Sequence, residues 1–231
     1  MQYFITGASG FIGKRLVRKL LDRDETNVIY FLIREVERET LPALYEFWGC
    51  DASRAIPVVG DLTQPLLGVA AVDVKKLGKK TTHFFHLADG TRNTVQFAEA
   101  IGAKHFHLFS SIASAGLFEG LFREDMFEEA EGLDHPYFRT KHDSEGIVRR
   151  ECSIPWRIYR PALVVGDSRT GEMDKIDGPY YFFKLIQRMR QVLPPWMPSV
   201  GLEGGRVNIV PVDFVVDALD HISHQEGGAG K

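Results

Sequence analysis

Three glycines at a regular interval set the strongest constraint on this chain. In "YFITGASGFIGKRLVRKLL" the apolar run of residues 2–6 stops at Gly7, Gly10 and Gly13 follow, and a segment of helical period begins at once. Glycine tolerates the left-handed backbone of a tight turn and lets the main chain approach a phosphate closely. A helix start adds unpaired N–H groups and the positive end of its dipole. A glycine-rich turn without a ligand is the plain alternative, but a strand before and a helix after are the context a dinucleotide-binding loop requires.

The rest of the chain repeats this alternation. Apolar runs predict strands near 2–6, 28–33, 56–60, 82–88, 105–110 and 156–165. Segments of 3.6-residue period predict helices near 11–22, 38–48, 91–102, 137–151, 179–192 and 212–223. Runs such as "HFFHLA" and "RIYRPALVV" lack in-out alternation, as strands covered on both faces do. The pattern predicts an α/β fold, a doubly wound parallel sheet of Rossmann type, built from 1–166 and 207–231. Residues 167–206, loop-like and then rich in aromatics, read as a small substrate-side insertion. Tyr180 to Phe183, Leu185, Ile186 and Met189 suit the wall of an alkyl tunnel, although ordinary core is an equal reading for each.

Composition narrows the partners. A chain of 231 residues buries roughly 70% of its unfolded surface, enough for one substantial core. With 28 basic against 31 acidic side chains, net charge −3, it offers no sustained positive field for nucleic acid. Cys50 and Cys152 are too few for a disulfide framework, which points to a reducing, cytoplasmic setting. No uncharged apolar run approaches the ~18 residues of a transmembrane span. His83, His105 and His107 lack a carboxylate or cysteine partner in the pattern, so no metal is expected.

About twenty residues beyond the glycines, "VIYFLIRE" ends the second strand at Arg34, where an NAD enzyme carries an acid for the ribose hydroxyl. A guanidinium there can fork onto a 2′-phosphate, which favours NADP(H), with Arg38 as a second contact. A solvated arginine at a strand end is the alternative.

"HPYFRTKHDSE" places Tyr137 and Lys141 four apart on one helix face. A free phenol titrates near 10, and an ammonium one turn away favours its ionised form, which suits proton transfer to a carbonyl oxygen. "HFHLFSSIASAG" ends the fifth strand at Ser110 and Ser111, upstream of that pair.

These motifs resemble the extended short-chain dehydrogenases/reductases, whose loop has the spacing G-x-x-G-x-x-G seen in "TGASGFIG". The resemblance implies a cofactor site of Thr6, Gly7, Ser9, Gly10, Phe11, Ile12 and Gly13, with Asp61 on the adenine amino group and Leu62 near the ring. It places Ala88 and Pro161 near the nicotinamide, and Tyr137 and Lys141 against it. It makes Ser111 the catalytic serine, with Ser110 the alternate, beside Tyr137 and Lys141. Glu145, one turn further along, reads as packing.

Longer stretches, among them "GLFEGLFREDMFEEAEGLDHPYFRTKHDSE" and "GLEGGRVNIVPVDFVVDALDHI", are similar to the N-terminal domain of bacterial long-chain fatty acyl-CoA reductases. That similarity implies NADPH-dependent reduction of a fatty acyl-CoA or fatty aldehyde, with the aldehyde-to-alcohol step here and the thioester step in a further C-terminal reductase domain. It allows a homo-oligomer. Two rivals are a nucleotide-sugar epimerase or dehydratase, which Arg34 and the apolar insertion disfavour, and a non-catalytic NADP-sensing module, which the full Ser/Tyr/Lys set disfavours.

One stretch conflicts with the resemblance. In "HFFHLADGTRNTVQFAEAIG" only Asp89 and Gly90 separate Ala88 from helical pattern, whereas the resembling enzymes carry on the order of twenty residues there. The expectation is that a loop is missing between Ala88 and Asp89, skipped in the numbering or deleted. The end at "HQEGGAGK" raises the same expectation of a missing C-terminal remainder.

Overall fold

The computed structural model describes residues 1–174, Arg188, 208–227 and Gly230. Strands β1 (Gln2–Thr6), β2 (Val28–Ile33), β3 (Ala55–Val59), β4 (His83–His86), β5 (His105–Phe109) and β6 (Trp156–Tyr159) form one parallel sheet in the order β3-β2-β1-β4-β5-β6. Parallel neighbours need crossovers, and helices supply them. These are α1 (Phe11–Arg23), α2 (Leu41–Trp48), α3 (Ala71–Leu77), α4 (Thr91–Ala100), α5 (Pro136–Glu151) and α6 (Val212–Ser223).

Alternate side chains of each strand enter opposite cores. Tyr3 and Ile5 of β1 pack with Leu16 and Leu20 of α1, Trp48 of α2 and Val216 of α6. Phe4 lies on the other face with Phe84, Phe106, Phe97 of α4 and Val148 of α5. Both faces are covered, which is why the strands read as unbroken apolar runs. The strand order reverses between β1 and β4, the crevice where doubly wound sheets bind ligands.

The strand expected over 156–165 is two strands. β6 stops at Tyr159, and β7 (Leu163–Val165) leaves the sheet to pair with β8 (Ile209–Pro211). Pro161 has no N–H for a ladder, and Arg160 turns aside to Glu145. The helix expected from 38 begins as a 3-10 helix at Glu35–Thr40, with α2 following. Helix α3 was not expected because it buries only Leu77 and shows no apolar stripe. The helix expected over 179–192, with its aromatic residues, lies outside the described residues apart from Arg188.

Buried imidazoles, His83, His86 and His107, make the fold acid-sensitive. His83 of β4 donates or accepts with His107 Nε2 at 2.9 Å and stacks on Tyr3, while His86 is fully enclosed. Burial holds His83 and His86 at about 3. An unfolded imidazole titrates near 6.5, so the unfolded chain takes up protons that the folded chain refuses. The stability these groups confer is complete above that value and drains away as pH falls from 6.5 towards 3. Each should cost roughly 2 kcal/mol between pH 6.5 and 5. Urea unfolding at pH 7 and pH 5 checks this, and equal midpoints would contradict it.

Candidate active site

The glycines are required by contact as well as by conformation. Gly7 has φ 77°, and a Cβ on it would lie 2.8 Å from the carbonyl oxygen of Leu87. A Cβ on Gly13 would fall 2.0 Å from the carbonyl oxygen of Gly7. Gly10 N–H donates to that same oxygen at 3.1 Å and stands at the N-cap of α1 without a side-chain cap. The first turn, with Phe11, Ile12 and Gly13, therefore points main-chain N–H groups past exposed Ser9 and Gly10, a fit to a pyrophosphate.

Thr6 serves the loop from below. Its hydroxyl lies 2.7 Å from Nδ1 of His86, whose Nε2 is 3.3 Å from the hydroxyl of Thr91. This buried Thr6–His86–Thr91 chain ties the ends of β1 and β4 to the start of α4. Sequence reasoning assigned His86 no role, because its partners are 80 and 5 residues away and a lone histidine in an apolar run carries no signal.

From β4 to α4 the chain passes through Leu87, Ala88, Asp89 and Gly90. Gly90 takes φ 85°, and Asn93 Nδ2 donates to the carbonyl oxygen of Leu62 at 2.9 Å. The join thus lies between the glycine loop on one side and the end of β3 on the other, with Ala88 half-buried in it.

At the ends of β2 and β3, Arg34 and Asp61 are near enough for their charges to act on one another. Asp61 Oδ1 accepts from the N–H and hydroxyl of Thr63, each at 2.8 Å, so it organises its own turn. These bonds hold its carboxyl below the usual range. Arg34 is exposed and clasped by Glu37 at 2.6 Å, and Arg38 pairs with Glu35 at 2.9 Å. Neither ion pair was read from the sequence, although the i,i+3 spacing in "REVER" carries both.

Helix α5 opens at Pro136, with His135 Nδ1 accepting from the N–H of Tyr137 at 3.3 Å. Tyr137 is 49% exposed at the carboxyl edge of the sheet. One turn on, Lys141 Nζ stands 5.8 Å from the centre of the Tyr137 ring and 3.8 Å from Asp89 Oδ1. Its charge is felt by His86 at the end of β4.

Ser111 caps a 3-10 helix, Ile112–Ala115, its Oγ accepting from the N–H of Ala113 at 3.2 Å. That helix packs on α5, and His142 Nδ1 lies 3.2 Å from the carbonyl oxygen of Ser114. Ser110 is buried, and its hydroxyl has no protein partner among the described residues. The N–H of Ile112 donates to the carbonyl oxygen of Pro161 at 3.1 Å, which fixes Pro161 beside Ser111. The Ser111 turn, Pro161 and α5 are thus linked through Ile112 and His142, and Lys141 reaches Asp89 in the join whose Leu87 packs on Gly7.

Glu145 is more than packing. Fully buried, it receives Arg160 through Nε at 3.0 and 3.1 Å and Nη2 at 2.7 Å. Nη2 also donates to the carbonyl oxygen of Met126 at 2.9 Å. The start of the insertion is pinned as well: Asp174 pairs with Lys14 at 2.9 Å, and Ser168 Oγ donates to Asp213 at 2.6 Å.

A reversed parallel sheet with this glycine loop at its switch point is the architecture of an NAD(P)-binding domain of Rossmann type. The family of male sterility proteins, NAD-binding domains, matches residues 5–89 and 88–219, and the chain belongs to it. A linear gramicidin synthase of Brevibacillus parabrevis is 32% identical over 255 residues, covering 96% of this chain and 5% of that protein. Aldehyde reductase lnbA of Aspergillus flavus is 27% identical, over 99% of this chain and 26% of its own length. The crystal structure of the terminal R domain from the myxalamid biosynthetic pathway has a TM-score of 0.80 at 26% identity, covering all of this chain and 64% of that one. The chain thus spans a small part of the synthase and about a quarter of the aldehyde reductase. No helix among the described residues is long and apolar enough to cross a membrane.

Proposed function

We propose that this domain reduces the carbonyl of an acyl-derived aldehyde with NADPH, a long-chain fatty aldehyde being the substrate its sequence resemblance favours. The observation that carries the reading is the Tyr137–Lys141 pair on one face of α5, the helix on which the Ser111 turn packs. The glycine cradle and the uncapped start of α1 fit a dinucleotide. A dinucleotide held there would supply hydride for the carbonyl carbon.

The chain's own groups handle the oxygen. Ser111 donates a hydrogen bond to it: one lone pair of its Oγ accepts from Ala113 N–H, and its own O–H is available to the substrate oxygen. Tyr137 passes its phenolic proton to the same oxygen as negative charge builds there. Lys141 keeps a positive charge one turn below the phenol, and Asp89 fixes the ammonium from the other side. A peptide synthetase and an aldehyde reductase among the relatives support an acyl-derived carbonyl over a nucleotide sugar.

The short join belongs to the same reading. The two matched segments of the family meet at 88–89, and the alignment to the gramicidin synthase exceeds the length of this chain. We read this as a deletion after Ala88 that leaves Asp89 next to Lys141.

The test is NADPH oxidation by the purified chain with octanal, octanoyl-CoA or UDP-glucose. Aldehyde-dependent oxidation is expected. Turnover of the sugar nucleotide alone would overturn the assignment.

A further inference from the structure

The end of β2 carries two opposed devices for one ribose. Arg34 is the group that suits a 2′-phosphate, yet its guanidinium is held by Glu37 Oε1 at 2.6 Å. The other carboxylate oxygen accepts the N–H of Arg34 at 3.1 Å, so Glu37 is fixed at two points. Arg38 is likewise engaged by Glu35. From Arg34 to Glu39 two arginines face three glutamates, and Asp61 adds a further negative charge from β3. The local balance is negative where a 2′-phosphate would bring about two more charges.

We propose that Glu37 is the specificity-determining residue of the cofactor site. Its carboxylate accepts the 2′-hydroxyl of NADH and must release Arg34 before a 2′-phosphate can be held. The domain therefore takes both cofactors, and Glu37 restrains its preference for NADPH. The inference rests on the site being a dinucleotide site, and it names the residue that sets the balance between the two cofactors.

Glu37→Gln is the informative change, because the amide keeps the shape and still accepts the N–H of Arg34 but carries no charge. Arg34 is exposed and Glu37 partly so, outside either core, so folding is not at stake. Fluorescence titration of the whole chain with NADPH and with NADH should show the NADPH-to-NADH affinity ratio rising about fivefold, the scale on which one exposed ion pair is exchanged for another. The gain should shrink with added salt. In an Arg34→Ala background the same substitution should move the ratio less than it does in the parent, because only the direct effect of the carboxylate on the ribose remains.

A ratio within about twofold of the parent in Glu37→Gln, or equal changes for both cofactors, would overturn the proposal and leave Glu37 a helix-capping residue. A full shift without Arg34 would also overturn it. Failure of the chain to bind either cofactor is a separate result, which would remove the reductase reading itself.

Discussion

Replacing Tyr137 with phenylalanine should lower aldehyde reduction by roughly two to four orders of magnitude while leaving NADPH affinity within about threefold. The ring stays, so the contact of Lys141 with its face survives, and the half-exposed position lets the variant fold. What disappears is the one O–H placed one turn from an ammonium on the helix that faces Ser111. The glycine loop and the ends of β2 and β3 do not touch that hydroxyl, so binding should be spared. Steady-state turnover together with cofactor titration separates the two effects. A variant retaining more than about a tenth of the parent rate would show that the proton comes from elsewhere, and Ser110, whose buried hydroxyl has no partner among the described residues, would be the next group to test.

What could be read from the residues divides along a physical line. Strands buried on both faces and helices with one apolar stripe announce themselves locally, so the sheet and the helix bearing Tyr137 and Lys141 were legible. The glycine loop was legible because strand, glycines and helix are consecutive. The strand over 156–165 was misread because apolar character continues through Pro161 although hydrogen bonding does not. Helix α3 escaped because it buries one side chain.

Tertiary partners were not legible. Nothing in the chain marks Asp89 as the neighbour of Lys141, 52 positions away, or His86 as the link between Thr6 and Thr91. Arg34 lies between these cases. Its location at the end of β2 followed from the pattern, and its partner three residues on could have been found from helical spacing, had the segment been expected to start helical at Glu35.

Glu145 is where a long-range partner carries the largest structural consequence. Its carboxylate is wholly buried on α5, one turn beyond Lys141, and its three contacts with Arg160 join that helix to the end of β6. Arg160 also holds the carbonyl oxygens of Arg123 and Met126, so the 123–126 loop hangs on the same guanidinium. Glu145→Ala leaves this cation poorly solvated and unpaired, which should cost roughly 3–5 kcal/mol of stability. Glu145→Leu combined with Arg160→Met should recover most of that loss, because a buried pair exchanged for apolar groups of similar volume is often neutral. The double variant should nonetheless turn over poorly. Without Arg160 the carbonyl oxygens of Arg123 and Met126 lose their side-chain donor and the 123–126 loop is held less firmly against α5, so kcat should fall more than KM changes. Urea unfolding of the single and double variants, with kinetics on the double, reads out both roles. A loss below about 1 kcal/mol in Glu145→Ala would mean that water or another acid reaches Arg160, and the pair would then hold neither the helix nor the loop.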